Sequence, residues 1–216
     1  MTDGQGEAGR GGEAGTRREA DAFGRSEPLG KADPLGEIRL RPVLSTFPTG
    51  VAAVAAIIDG EPAGLAASSF VSVSLDPPLV SVCIGHSSTT WPALRTAGRL
   101  GISVLGAHQE TASPQLSSRD GERFAGLRWR TTTDGAVLLH EASAWFECSI
   151  EREIAAGDHD ILLLRVHDLG ASEAMPLVFH GSAYRQLQVY GAAARTYGGL
   201  ADASLFAHRR AGRNGG

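Results

Sequence analysis

Apolar positions along the chain come in short runs separated by turn residues, and that rhythm predicts strands more often than helices. Val51–Ile58 is a nearly unbroken apolar run ended by Asp59-Gly60, a hairpin signal. Ala63–Val73 is expected to follow as the second strand and Leu79–Ile84 as the third. Asp76-Pro77-Pro78 separates them, because proline removes ladder donors. Leu100–Leu105, Ala144–Ile154, Ile161–Leu169 and Pro176–Leu187 read as further strands. Three helical stretches interrupt the pattern. Asp33-Pro34 can open a short helix running to about Ser45, with Leu35, Ile38, Val43 and Leu44 on one face. Trp91–Gly98 reads as a short helix, with Thr90 as its cap and Pro92 near its start. His108–Ser118 reads as a broken helix with Pro114 inside it. Many strands joined by short loops suggest a mainly β fold, a closed or half-closed antiparallel barrel, since closure removes exposed edges. No internal repeat interrupts this order.

The two ends break the rhythm. Residues 1–37 hold nine Gly and thirteen charged residues, no Ile, Val, Tyr or Trp, and a single Phe, Phe23. So little apolar surface cannot offset the entropy of ordering, and the segment is expected to be disordered. Residues 190–216 are expected to be partly disordered, although Leu200–His208 could carry a short docking helix. The folded unit is then 38–189, or 152 residues counted inclusively. A domain of that size buries roughly 70% of its unfolded surface. Gly4, Gly6 and Gly9 spell GxGxxG inside the N-terminal tail. That motif needs a strand before it and a helix after it, and nothing apolar precedes Gly4, so it reads as linker.

Composition narrows the class. The formal net charge of −4 argues against a nucleic-acid binder, which needs a basic surface. Two cysteines without a CxxC pattern exclude a disulfide framework and argue against a thiolate zinc site. No apolar run approaches the ~20 residues of a membrane helix, and the N-terminus has no apolar signal core. These features point to a soluble, cytoplasmic protein without a membrane partner. GxSxG, P-loop, HExxH and kinase signatures do not occur in the core.

Four segments could carry chemistry. Gly64-Leu65-Ala66-Ala67-Ser68-Ser69-Phe70 sacrifices side-chain packing in a strand. Either a flat ligand approaches its backbone, with Ser68 or Ser69 adding hydroxyl contacts, or a neighbouring strand packs tightly there. Cys83-Ile84-Gly85-His86-Ser87-Ser88-Thr89-Thr90 ends a strand and precedes a helix, with four hydroxyl residues in succession. Such a terminus suits a phosphate, or one hydroxyl simply caps the helix. Gly157-Asp158-His159-Asp160 lies between two strand patterns, where His159 could donate a hydrogen bond or carry a proton near neutral pH. A metal is disfavoured there because neighbours on a strand point to opposite faces. Cys83 and Cys148 read first as small buried hydrophobes, with a catalytic thiol as the alternative.

Phe47-Pro48-Thr49-Gly50-Val51, the block from Gly64 through Ser68-Ser69-Phe70 to Asp76-Pro77-Pro78-Leu79-Val80, and Gly157-Asp158-His159 together resemble the flavin reductase-like family. Phe124-Ala125-Gly126-Leu127 and Pro176-Leu177-Val178-Phe179 add to the resemblance, which runs from about residue 34 to 187. It implies an FMN-binding split β-barrel, a homodimer, and NAD(P)H-dependent reduction of FMN or FAD by NADH or NADPH, with reduced flavin passed to a separate oxygenase. It implies that Ala66, Ala67, Ser68 and Ser69 lie against the flavin, that Cys83, Ile84 and Gly85 contact it at the end of the third strand, and that Thr89 and Thr90 lie near its phosphate. It implies that His159 sits near the nicotinamide, and it implies no metal. Many relatives carry Thr where Ala66 stands, an aromatic residue where His180 stands, and a basic residue and Phe near Gln115 and Leu116. A flavin-bound oxidase or oxygenase, and a non-catalytic flavin-binding module, are the alternatives on the same fold.

Overall fold

A computed structural model of the chain describes residues 36–119 and 121–188. The expectations for the two tails and for the start of the first helix at Asp33-Pro34 fall largely outside these residues. Helix α1 (Gly36–Leu44) leads into twelve strands: β1 (Thr49–Gly50), β2 (Ala52–Ile58), β3 (Glu61–Ala67), β4 (Val71–Leu75), β5 (Pro78–Gly85), β6 (Leu100–Val104), β7 (Trp129–Thr131), β8 (Val137–Leu139), β9 (Ala144–Ala156), β10 (His159–Ala171), β11 (Val178–His180) and β12 (Ala183–Arg185). Between them lie α2 (Trp91–Leu94) and α3 (Ala112–Ser117).

Seven strands form one antiparallel sheet in the order β3-β2-β6-β9-β10-β5-β4. Its edge strands β3 and β4 are joined only by Ser68-Ser69-Phe70. That connection spans at most about 14 Å from Ala67 to Val71. A flat sheet of this order would hold its edges roughly 29 Å apart, six spacings of about 4.8 Å. The sheet must therefore curl until its edges approach, which makes a barrel with a seam. Irregular register at Leu163/Leu164 and Val166/Asp168 bends the long β9–β10 ribbon, as bulges do.

The run Val51–Ile58 is apolar throughout because β2 is covered on both faces. Ala52, Val54 and Ala56 join the inner core with Ile102, Cys148, Leu162 and Leu164. Val51, Ala53 and Ala55 join a second core with Leu105, Leu116, Phe124 and Val137. The alternation is the period of two of a strand. Helix α2 adds buried Trp91 and Leu94 to the inner core.

Several expectations are corrected. Ala63–Val73 is two strands at opposite edges, because the chain changes edge at Ser68–Phe70. Pro176–Leu187 is a hairpin, β11 and β12, turned by Gly181 and Ser182, both at φ +58°. The second helix stops at Leu94, not Gly98. Thr90 does not cap it through its side chain; Trp91 N–H donates to Ser88 Oγ (3.2 Å) instead. In α3, Pro114 falls in the first turn, where a missing N–H costs nothing. The apolar side of α1 does not pack on the barrel, since Val43 and Leu44 are exposed. Asp59 and Gly60, at φ +52° and +86°, make the expected hairpin turn.

Strand β6 carries Gly101 directly beneath β8. A Cβ at this position would stand 2.0 Å from Val137 O. Gly101→Ala therefore forces the two strands apart and should destabilise the fold by about 2–3 kcal/mol, read as a lower urea midpoint. An unchanged midpoint would contradict this packing.

Candidate active site

A cavity of about 420 Å³ opens at the seam of the sheet. One wall is the end of β3 with Ser68 and Ser69, and the facing wall is the end of β5, Cys83–Gly85. The loop Ser87–Thr90, the end of α3 and Arg119 and Arg123 close the remaining sides, and His159 stands among the lining residues at the start of β10. All ten residues singled out in the sequence, Ala66, Ala67, Ser68, Ser69, Cys83, Ile84, Gly85, Thr89, Thr90 and His159, line this one cavity.

Ser69 clasps the seam. Its hydroxyl donates to Cys83 O (3.1 Å) and accepts from Cys83 N–H (2.8 Å). The reciprocal pair serves the β5 backbone beyond the point where β4 pairs with it, since that ladder ends at Ser81. Ser69 thus spends its proton on the fold, while no such bond commits the Ser68 hydroxyl. The small residues of β3 divide in the same way. A Cβ at Gly64 would stand 2.8 Å from the Phe124 ring and 2.9 Å from Val54 O, so this glycine serves packing. Ala66 and Ala67 are among the lining residues of the cavity, with Ala67 packed on the inner core and Ala66 on the second.

The polar end is built from hydroxyls and cations. Ser87, Ser88, Thr89 and Thr90 line it with Arg119 and Arg123, and no carboxylate is among the described lining residues. Arg123 Nη1 donates to Gly64 O (3.0 Å) and to the Thr90 hydroxyl. Thr90 Oγ1 accepts that bond, so its own proton remains available to a ligand. Helix α2 is a single turn, and the positive potential comes from the arginines rather than from a helix terminus. Beside these two cations, the Gln115 side chain donates to Ala125 O (2.8 Å). Sequence reading missed them because Ser118-Arg119-Asp120-Gly121-Glu122-Arg123 mixes charges of both signs, like a solvated loop.

The rim pairs its histidines with acids. His159 Nδ1 donates to Asp158 Oδ1 (2.7 Å), and His86 Nε2 donates to Asp160 Oδ1 (3.1 Å). The His159 ring lies over Gly85, where an added Cβ would be 3.4 Å from Nε2. The two acids of Asp158-His159-Asp160 are thus divided between different histidines. Cys148 is buried, and burial followed by the Glu147 charge pushes its thiol up to about 12, which rules it out as a nucleophile.

The flavin reductase like domain model matches residues 44–188. A relative from Rhizobium meliloti (strain 1021) is 43% identical over 128 residues, 59% of this chain and 41% of that protein. The chain therefore spans less than half the length of that relative. The reductase subunit HsaB of a flavin-dependent monooxygenase from Rhodococcus jostii (strain RHA1) is 36% identical over 151 residues, 69% of this chain and 77% of that protein. The solved structure of the Streptomyces globisporus C-1027 NADH:FAD oxidoreductase SgcE6, in complex with NAD and FAD fragments, superposes with a TM-score of 0.69 at 33% identity, covering 76% of this chain and 99% of that one. The barrel and its seam cavity make a split-barrel fold with a pocket between its edges. The chain belongs to the flavin reductase-like family.

Two measurements check this geometry. Ser69→Ala leaves Cys83 N–H without its partner and should cost about 1–3 kcal/mol, with faster hydrogen exchange at the Cys83 amide. Unchanged exchange there would contradict the clasp. The hydrogen bond from His159, with its charge, holds the Asp158 carboxyl below its ordinary value of 3.8. A depressed carboxyl favours the pair above that value and loses it as pH falls through the lower folded one. His159→Ala should move the Asp158 titration upward, toward 3.8, in carboxyl NMR. An unmoved titration would refute the pairing.

Proposed function

We propose that this enzyme reduces free FMN or FAD with NADH or NADPH in the seam cavity and releases the reduced flavin to a separate oxygenase. The observation that carries the proposal is the convergence of ten sequence-selected residues on one cavity with an anion-binding end. Its residues fit a flavin. The apolar walls at Leu65–Ala67 and Ile84 suit a planar ring, and the hydroxyls and arginines suit a phosphate. Bound flavin supplies the acceptor for the hydride of NAD(P)H.

The chain's own residues orient the two reactants. Ala66 and Ala67 leave room for a ring against the β3 backbone, and Ser68 offers a hydroxyl to its edge. Cys83, Ile84 and Gly85 present main-chain groups at the opposite wall. Thr89 and Thr90, with Arg119 and Arg123, hold the phosphate. Anchored through Nδ1 to Asp158, His159 presents Nε2 on the Gly85 side, placed to hydrogen-bond the nicotinamide carboxamide. Its role is to position the dihydronicotinamide, which lowers the barrier by holding the reacting rings in contact.

The same reading makes the protein a cytoplasmic homodimer. Its two cysteines are free thiols, as a reducing compartment keeps them. Among the described residues no helix is long and apolar enough to cross a membrane. Edge strand β4 exposes Val71, Val73 and Leu75, and Val43, Leu44 and Phe47 are exposed on and after α1, apolar surface that a second copy would cover. A partner oxygenase follows the model of the Rhodococcus relative, itself a monooxygenase reductase subunit.

NAD(P)H oxidation is expected to require added flavin and to saturate in it. His159→Ala should slow flavin reduction in stopped flow roughly 10–100-fold while flavin binding survives. NAD(P)H-independent turnover of an organic substrate by tightly held flavin would replace this reading with a flavin-bound oxidase, and flavin binding without NAD(P)H oxidation would leave a binding module.

A further inference from the structure

A second histidine, His86, stands on the same rim as His159 and has no part in the function proposed above. It meets both residues that flank His159 in the chain. Its main-chain N–H donates to Asp158 O (2.9 Å), and its Nε2 donates to Asp160 Oδ1 (3.1 Å). His86 itself is not among the described residues that line the cavity. We infer that His86 is a positioning residue for hydride transfer, fixing the strand end that carries His159 against the turn that follows β5; the inference rests on the flavin-reductase reading above.

His159 opens β10 directly after the turn Gly157-Asp158. Its hydrogen bond to Asp158 ties the ring only to that turn, and the Asp158 side chain is 93% exposed. Water competes for so open a pair, which therefore does little to hold the ring in one place. A fixed reference has to come from another element, and His86 supplies it. Its turn, Gly85–Ser88, is closed by Ser88 N–H on Gly85 O (3.0 Å). One end of that turn belongs to β5. The other is anchored to α2, where Trp91 N–H donates to Ser88 Oγ (3.2 Å) and Trp91 and Leu94 are buried. The paired register of β5 and β10 ends at Gly85 and His159, and the main-chain bond from His86 carries it one residue further. The side-chain bond then crosses to Asp160, whose side chain is 24% exposed, far less than that of Asp158. With both of its neighbours pinned, His159 keeps its ring over Gly85. A Cβ added to that glycine would stand 3.4 Å from His159 Nε2 and 3.7 Å from Ser87 Oγ. The same turn leads into the hydroxyls of Ser87–Thr90 at the polar end of the cavity. The bond from His86 to Asp160 thus ties the histidine proposed for the nicotinamide to the loop proposed for the flavin phosphate. Hydride transfer needs the two reacting rings in contact, and a misplacement of about 1 Å costs on the order of 100-fold in rate. A half-exposed pair adds little to the stability of the whole fold, so its loss is expected in the rate and not in folding.

The test follows flavin reduction by NADH in stopped flow, flavin affinity by fluorescence titration and the urea midpoint, all on the whole chain. His86→Ala is expected to slow flavin reduction at saturating NADH about 3–10-fold, with the flavin Kd and the urea midpoint unchanged. Asp160→Ala should do the same, and the double variant should be no slower than either single one. His86→Gln, whose amide reaches Asp160 from nearly the place of Nε2, should restore most of the rate. In a His159→Ala background His86→Ala should bring no further loss, since no ring is left to place. A wild-type rate in His86→Ala would overturn the inference. So would a loss that persists without His159, or one that appears as weaker flavin binding, either of which moves the role of His86 to the flavin. A lowered urea midpoint without rescue by His86→Gln would also overturn it and leave a purely structural contact. If the wild type fails to oxidise NADH with added flavin, or His159→Ala leaves the rate unchanged, the underlying reading falls and takes the inference with it.

Discussion

The seam of the barrel is held at its open end by one hydroxyl. Ser69 both donates to and accepts from the backbone of Cys83, and so ties the end of β3 to the end of β5. Those two ends are the facing walls of the cavity. A continuous strand ladder across this point would fill the space that a ligand needs. No link at all would leave the two walls free to separate, with an unpaired main-chain donor between them. A single side chain that satisfies one residue of the opposite strand closes the barrel and keeps the cavity. The short Ser68–Phe70 connection works with it, since it forbids the flat sheet that would carry the walls apart.

Charge is arranged locally against the sign of the whole. The chain carries a formal net charge of −4, yet its seam cavity is lined by two arginines and no described carboxylate. Arg123 is held by main chain on one side and by Thr90 on the other, so its guanidinium is fixed before any ligand arrives. Preorganisation of this kind reduces the side-chain ordering lost on binding. Carboxylates line an adjoining cavity beyond that arginine, at Glu61 and Glu122.

Much of this arrangement was legible in the chain. The Asp59-Gly60 hairpin, strands β5 and β6 and the Gly157 turn follow from local chemistry, because each depends on a few adjacent residues. The small-residue strand and the hydroxyl run were visible as anomalies, and the family resemblance gave them roles. Other features were hidden for equally physical reasons. The two-residue strand β1 and the three-residue strands β7 and β8 are too short to show a period, and they exist because longer strands give them partners or surface to pack on. Ser88 rather than Thr90 supplies the capping oxygen, while Arg123, more than thirty positions away, engages the Thr90 hydroxyl.

The sequence by itself pointed to an antiparallel barrel and marked out the small-residue strand and the hydroxyl run, since alternation, turn chemistry and contiguous motifs are local properties. Only the tertiary structure decided which residues of these runs are committed to the fold. Gly64 and Ser69 sit in the same short run as Ala66 and Ser68, yet Phe124 and Cys83 claim the first pair. Arg119 and Arg123 acquire a place in the site only when the loop after α3 meets β3. A side chain's role depends on what stands against it, and for these residues the neighbour comes from a distant part of the chain.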